Sequence, residues 1–132
     1  MELADYFESV SGIGILATAD ADGRPNVALY ARPHVMTDGT VVFLMADKKS
    51  HANIAENPHA AYIFVETGAA GYHGKRLYLT KVAEKQDSPR ADELRRHDHH
   101  EPSHSRGVST FLVTFRLDSV APLTGPPRDD KD

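Results

Sequence analysis

The chain has 132 residues, 40% of them hydrophobic, and a formal net charge of −4, which suits one domain built on a single core. It contains no cysteine, so disulfides, thiolate metal centres and cysteine nucleophiles are all excluded. Mild acidity without a basic stripe argues against a general nucleic-acid role, because neutralising phosphates supplies most of that affinity.

Leu3, Phe7 and Val10 recur at near-helical spacing and predict a short opening helix that Ser11-Gly12 ends. Ile13 to Ala19 and Asn26 to Met36 read as two strands of an antiparallel hairpin. Between them lies Asp20-Ala-Asp-Gly23, a turn whose glycine can take positive φ. Asp38-Gly39 makes the next turn. Thr40 to Met45 is apolar and rich in β-branched residues, as a buried strand should be. Ala52, Ile54 and Ala55 then continue as helix material until Asn57-Pro58 stops it, placing a helix start near Ser50.

Ala60 to Glu66 returns as a strand of β-branched and aromatic residues. Thr67 to Gly74, with glycines at 68, 71 and 74 and no periodicity, reads as a flexible loop. Lys75 to Lys85 alternates through Leu77, Leu79 and Val82 with a slip near Lys81, which predicts one long strand with a bulge. Ser88-Pro89 is a good helix start for a segment reaching Arg96, and a polar, histidine-rich stretch follows to Gly107. Thr110 to Leu117 is the last predicted strand. Six strands with only short helices favour an antiparallel barrel, of mainly β (α+β) class, because parallel strands would need crossover helices. The domain is expected over residues 1–121, with 122–132, rich in proline and charge, a disordered tail.

Lys48, Lys49 and Ser50 stand where a strand ends and a helix begins. The unpaired N–H groups and positive dipole end of such a helix suit an anion, and two lysines and a hydroxyl add charge and a donor. Read without context, Ser50 is equally well an N-cap and the lysines solvated surface.

The order and spacing of Gly14 to Val27, Asp38 to Phe43, Lys49 to Pro58 and Arg76 to Lys81 resemble the FMN-binding split β-barrel family, which includes pyridoxamine 5'-phosphate oxidases. The resemblance implies a six-stranded antiparallel split barrel with short flanking helices that binds FMN and transfers hydride or electrons through it. It implies that Lys48, Lys49, Ser50 and Asn53 hold the phosphate, and that Ala28, Leu29, Tyr30, Ala31 and Arg32 lie along the isoalloxazine ring, with Met45 in the same set. It further implies a homodimer with the flavin at the interface, covered by a long strand starting at Lys75 and Arg76. The C-terminal extension of the longer oxidases is missing, so the pyridoxamine-phosphate reaction is not implied. A small noncatalytic FMN electron carrier, or a member of the barrel using F420 or haem, are the alternatives.

The residues allow this. Ala28, Tyr30 and Arg32 alternate onto one strand face, where small alanines would admit a planar ring and an arginine would stabilise negative charge on a reduced flavin. Tyr30, Tyr62, Phe64 and Tyr78 exceed what a short barrel interior is expected to hold, which points toward a dimer interface. No side chain need act as acid, base or nucleophile, since the chemistry belongs to the cofactor. His97, His99, His100 and His104 read as part of a solvated linker rather than a metal site. His51 is a further candidate to contact the anion. No Gly-x-Ser-x-Gly elbow or His-Glu-x-x-His pair supports a hydrolase or zinc protease. The chain has no basic-plus-apolar leader and no long apolar run, so a cytoplasmic protein without membrane contact is expected.

Overall fold

A computed structural model of the chain describes residues 2–68, 70–86 and 110–126. Helix α1 (Leu3–Ser9) leads into strands β1 (Gly12–Ala19), β2 (Pro25–Leu29), β3 (His34–Val35) and β4 (Val41–Ala46). Helix α2 (Lys49–Glu56) follows, then β5 (His59–Glu66), β6 (Gly74–Gln86) and β7 (Thr110–Ala121). All strand pairs are antiparallel and form one sheet in the order β2-β1-β5-β6-β7-β4-β3. The predicted helix from Ser88 to Arg96 and the histidine-rich stretch from His97 to Gly107 lie outside the described residues.

The expected strand from Asn26 to Met36 is two strands, which raises the count from six to seven. Pro33 cannot donate to a ladder, and the chain leaves the sheet between Leu29 and His34. Here the two halves join opposite edges: β2 pairs with β1, while β3 pairs with β4. That connection dictates the shape of the sheet. Five steps of chain reach at most about 18 Å, whereas the edges of a flat seven-stranded sheet would stand about 29 Å apart. The sheet must therefore curl until its edges approach, without β2 and β3 pairing, and the result is a barrel split between them.

Elsewhere the turns follow the sequence. Gly23 (φ 84°) and Gly39 (φ 88°) take the left-handed conformation in the two expected turns. The slip in β6 is real: its register against β7 shifts between Tyr78 and Leu79 and again between Lys81 and Ala83, leaving Val82 exposed while Leu77 and Leu79 are buried. Inside the curl sit Phe7, Phe43, Tyr62, Phe64 and Phe115, each at most 2% exposed. Their rings meet edge to face, with Phe43 5.0 Å from Tyr62 and 5.8 Å from Phe115, a geometry that aromatic quadrupoles favour. The interior thus takes Tyr62 and Phe64 after all, and only Tyr78 and Tyr30 stay half-buried. Among the described residues, no helix is long and apolar enough to cross a membrane.

Candidate functional site

Helix α2 begins one residue earlier than the sequence suggested. Lys48, extended at φ −134° and ψ −162°, is its N-cap and offers no side-chain cap. Ser50 is therefore not the cap but the second helical residue. The leading N–H groups of such a helix have no acceptor within it, and Lys48 and Lys49 stand exposed beside them. Ser50 points the other way. It is 4% exposed and accepts a hydrogen bond from Asn26 Nδ2 at 3.4 Å. Burial pushes the Tyr30 phenol above its ordinary pKa, partly offset by the neighbouring Ser50 hydroxyl.

One turn along α2, Asn53 is buried and donates from Nδ2 to Thr18 Oγ1 at 3.1 Å. Thr18, Ser50 and Asn53 are the buried polar side chains of the described residues, and all three lie where α2 meets β1. Buried polar groups persist only where partners satisfy them, and this seam supplies such partners. Thr18 and Asn26 were not anticipated from sequence. The signal for Thr18 was a polar residue two positions after Leu16, on the inward beat of β1.

The other expected site residues are spread along the sheet. Ala28 is half-buried on β2 beside Asn26, and Leu29 faces outward. Tyr30 meets Phe43 edge-on at 6.0 Å. The carbonyls of Tyr30 and Ala31 accept from the Tyr62 hydroxyl at 3.2 and 3.3 Å. Arg32 turns back to α1, where Nη1 donates to the carbonyls of Phe7, at 3.2 Å, and Val10, so it ties down the C-terminal end of that helix. Met45 is fully buried in the core. Lys75 sits over the Tyr6 ring at 4.9 Å. Arg76 donates to Pro122 O at 2.7 Å, to the Tyr78 hydroxyl at 2.8 Å and to Gly125 O. Lys75 aligns across β5 with Gly14, and Leu79 with Thr18. Four residues of strand, about 13 Å, therefore separate Lys75 from the level of the α2 seam in one chain.

A family model for pyridoxamine 5'-phosphate oxidase matches residues 2–116. The chain belongs to that family. The match runs from α1 into β7 and so includes the whole α2 seam. Among solved structures, an FMN-binding protein from Syntrophomonas wolfei superposes with a TM-score of 0.74 at 18% identity, covering 93% of this chain and 84% of that one. An F420 reductase gives 0.66 at 19%, covering 92% and 98%. HutZ, the heme storage protein of Vibrio cholerae, gives 0.57 at 19%, covering 92% and 87%. At these identities the likeness is one of fold.

In this member of the family a charged cluster flanks α2. His51 Nε2 lies 3.0 Å from Glu84 Oε1, which also receives Lys81 Nζ at 2.8 Å. Burial opposes the Glu84 charge, but hydrogen bonds from Lys81 and His51 prevail and hold its carboxyl below the ordinary glutamate value. A carboxylate lowered in the folded state stabilises above its unfolded pKa, about 4.3 for glutamate, and that contribution is lost as pH falls through the folded value. Acidification from about pH 5 to pH 3 should therefore lower the melting temperature. Glu84→Gln should start lower at neutral pH and fall less, and thermal melts at both pH values of the two proteins check it. Equal falls would show that Glu84 carries none of the acid sensitivity.

Proposed function

We propose that this chain is an FMN-binding flavoprotein, a cytoplasmic homodimer that acts as an oxidoreductase. The observation that carries the reading is the start of α2: two exposed lysines at an uncapped helix N-terminus, with Ser50 and Asn53 built into a buried polar seam against β1 and β2. That donor set fits a phosphate monoester, which takes charge-assisted hydrogen bonds from ammonium and backbone N–H groups. In this reading Lys48, Lys49 and the leading N–H groups of α2 hold the phosphate end of FMN, Ser50 and Asn53 seat that helix start against β1 and β2, and β2 with Tyr30 and Ala31 supports the ring. Arg32 serves by fixing α1 beneath that segment. Bound flavin supplies hydride or electron transfer, for which the protein provides binding, orientation and electrostatics.

The visible spectrum of the purified protein, with mass spectrometry of what denaturation releases, tests the cofactor. FMN is expected. A colourless protein that refuses FMN in titration would overturn the reading. F420, a deazaflavin that also carries phosphate, makes the same demand of the lysines, and the F420 reductase likeness makes it the second reading. Turnover with a nicotinamide donor and an organic acceptor separates an oxidoreductase from a simple electron carrier.

The dimer is supported by the outer face of the sheet. Ile13, Val27 and Leu29 are 54%, 67% and 71% exposed. Strand register sets Val27 opposite Ala17, Leu29 opposite Ile15, and Ile15 opposite Ile63, so one apolar face spans three strands. Such a contiguous patch marks an interaction site, and a second copy matches it by twofold symmetry. Sedimentation at micromolar concentration should show a dimer, and Leu29→Glu should shift it to monomer and release the flavin. A wild-type monomer that still holds FMN would refute the shared site.

A further inference from the structure

His51 follows Ser50 but faces away from the polar seam. Its ring stacks on Phe111 of β7, with centroids 3.9 Å apart and planes 14° apart, and its side chain is only 11% exposed. Nδ1 lies 3.2 Å from Asp47 Oδ1, in the turn that leads into α2. Nε2 lies 3.0 Å from Glu84 Oε1 on β6. A neutral imidazole has one N–H and can donate to only one of these carboxylates, so the imidazolium is the form that serves both.

The location gives this pairing a consequence. Asp47 immediately precedes Lys48 and Lys49, and its free carboxylate would repel an incoming phosphate and compete for the same ammonium groups. His51 takes up that carboxylate, and with Lys81 it takes up Glu84 as well. With His51 as the imidazolium that this double contact favours, Asp47, Glu84, Lys81 and His51 sum to zero charge; with it replaced by a neutral side chain they sum to −1.

We propose that His51 is a positioning residue for the anion site: clamped between Asp47 and Glu84, it anchors the turn carrying Lys48 and Lys49 to β6 and cancels the negative charge beside them. The role rests on the phosphate reading given above. Its signature is selectivity for the phosphate, since a residue that only supported the fold would affect every ligand alike.

Fluorescence titration with FMN and with riboflavin, which lacks the phosphate, reads that selectivity. With Asp47 left unpaired next to the lysines, His51→Phe should weaken FMN binding about tenfold and leave riboflavin nearly unchanged. Asp47→Asn added to His51→Phe should restore most of the loss by removing the charge left uncovered. Should His51→Phe fail to fold, His51→Gln keeps a donor without the charge and should show the same selective loss. Unchanged FMN preference in the folded variant, an equal loss of both ligands, or no recovery with Asp47→Asn would each overturn the proposal. A wild type that binds the two ligands equally would instead overturn the phosphate reading on which it stands, so the two failures are distinguishable.

Discussion

Gly14→Ala should destabilise the protein by about 3 kcal/mol, because the core has no space for one more methyl group at that point. A Cβ on Gly14 would lie 1.9 Å from the Tyr62 hydroxyl oxygen and 2.6 Å from the Tyr30 carbonyl oxygen. Neither can yield easily. Tyr62 is 1% exposed, packs against Phe43 and Phe7, and donates to the Tyr30 and Ala31 carbonyls. Tyr30 is held in turn by its N–H, which donates to Gly14 O at 3.0 Å. A loss of that size corresponds to a fall in melting temperature of roughly 10 °C. Gly23→Ala is the control. Its φ of 84° makes alanine strained there, but a Cβ would meet nothing within 4 Å, so the loss should be only about 1 kcal/mol. A Gly14→Ala protein melting within a few degrees of wild type would show that Tyr62 can move aside, and that the segment from Tyr30 to Ala31 is less tightly seated than its hydrogen bonds imply.

Lys49→Ala should weaken FMN binding by about tenfold to a hundredfold, the equivalent of roughly 1.5–3 kcal/mol for a hydrogen bond to a charged group. Lys49 is exposed and opens α2, so its removal should leave the fold intact. Riboflavin provides the internal reference. Wild type should prefer FMN strongly, while the Lys49→Ala, Ser50→Ala double variant should bind the two ligands with similar weakness. Ser50→Ala alone carries a second effect. Ser50 accepts from Asn26 and adjoins Tyr30, so its loss leaves the half-buried Asn26 short of a hydrogen bond and should lower stability by about 1 kcal/mol. Measuring melting temperature beside affinity separates the two. If the double variant keeps the wild-type preference for FMN, the phosphate is held elsewhere, and the lysines are ordinary surface.

Local pattern was enough to reveal the strands and their turns. Aspartate and glycine at 20–23 and 38–39 mark turns whose glycines take positive φ, and the broken alternation near Lys81 marks the bulge in β6. The lysines at the start of α2 were legible as well, because helix-end chemistry depends on neighbours within a single turn. The span from Asn26 to Met36 was not. Val27, Leu29, Tyr30 and Val35 favour a strand and Pro33 marks only an edge or bulge, so it is the closure of the sheet that decides that the chain must leave one edge after Leu29 and join the other at His34.

The same distinction runs through the site. That a serine and an asparagine three apart share a helix face follows from the helical repeat. That this face is buried against Thr18 and Asn26, while His51 turns to Glu84 some thirty residues away, depends on how α2 packs on the sheet. Arg32 makes the point most directly. An arginine after a strand is consistent with many partners, and here two carbonyls at the end of α1 claim it. Sequence determined which groups were available, because composition and short-range periodicity are local properties. Tertiary structure decided which groups met, because those contacts join residues far apart in the chain, and no local pattern encodes the path that brings them together.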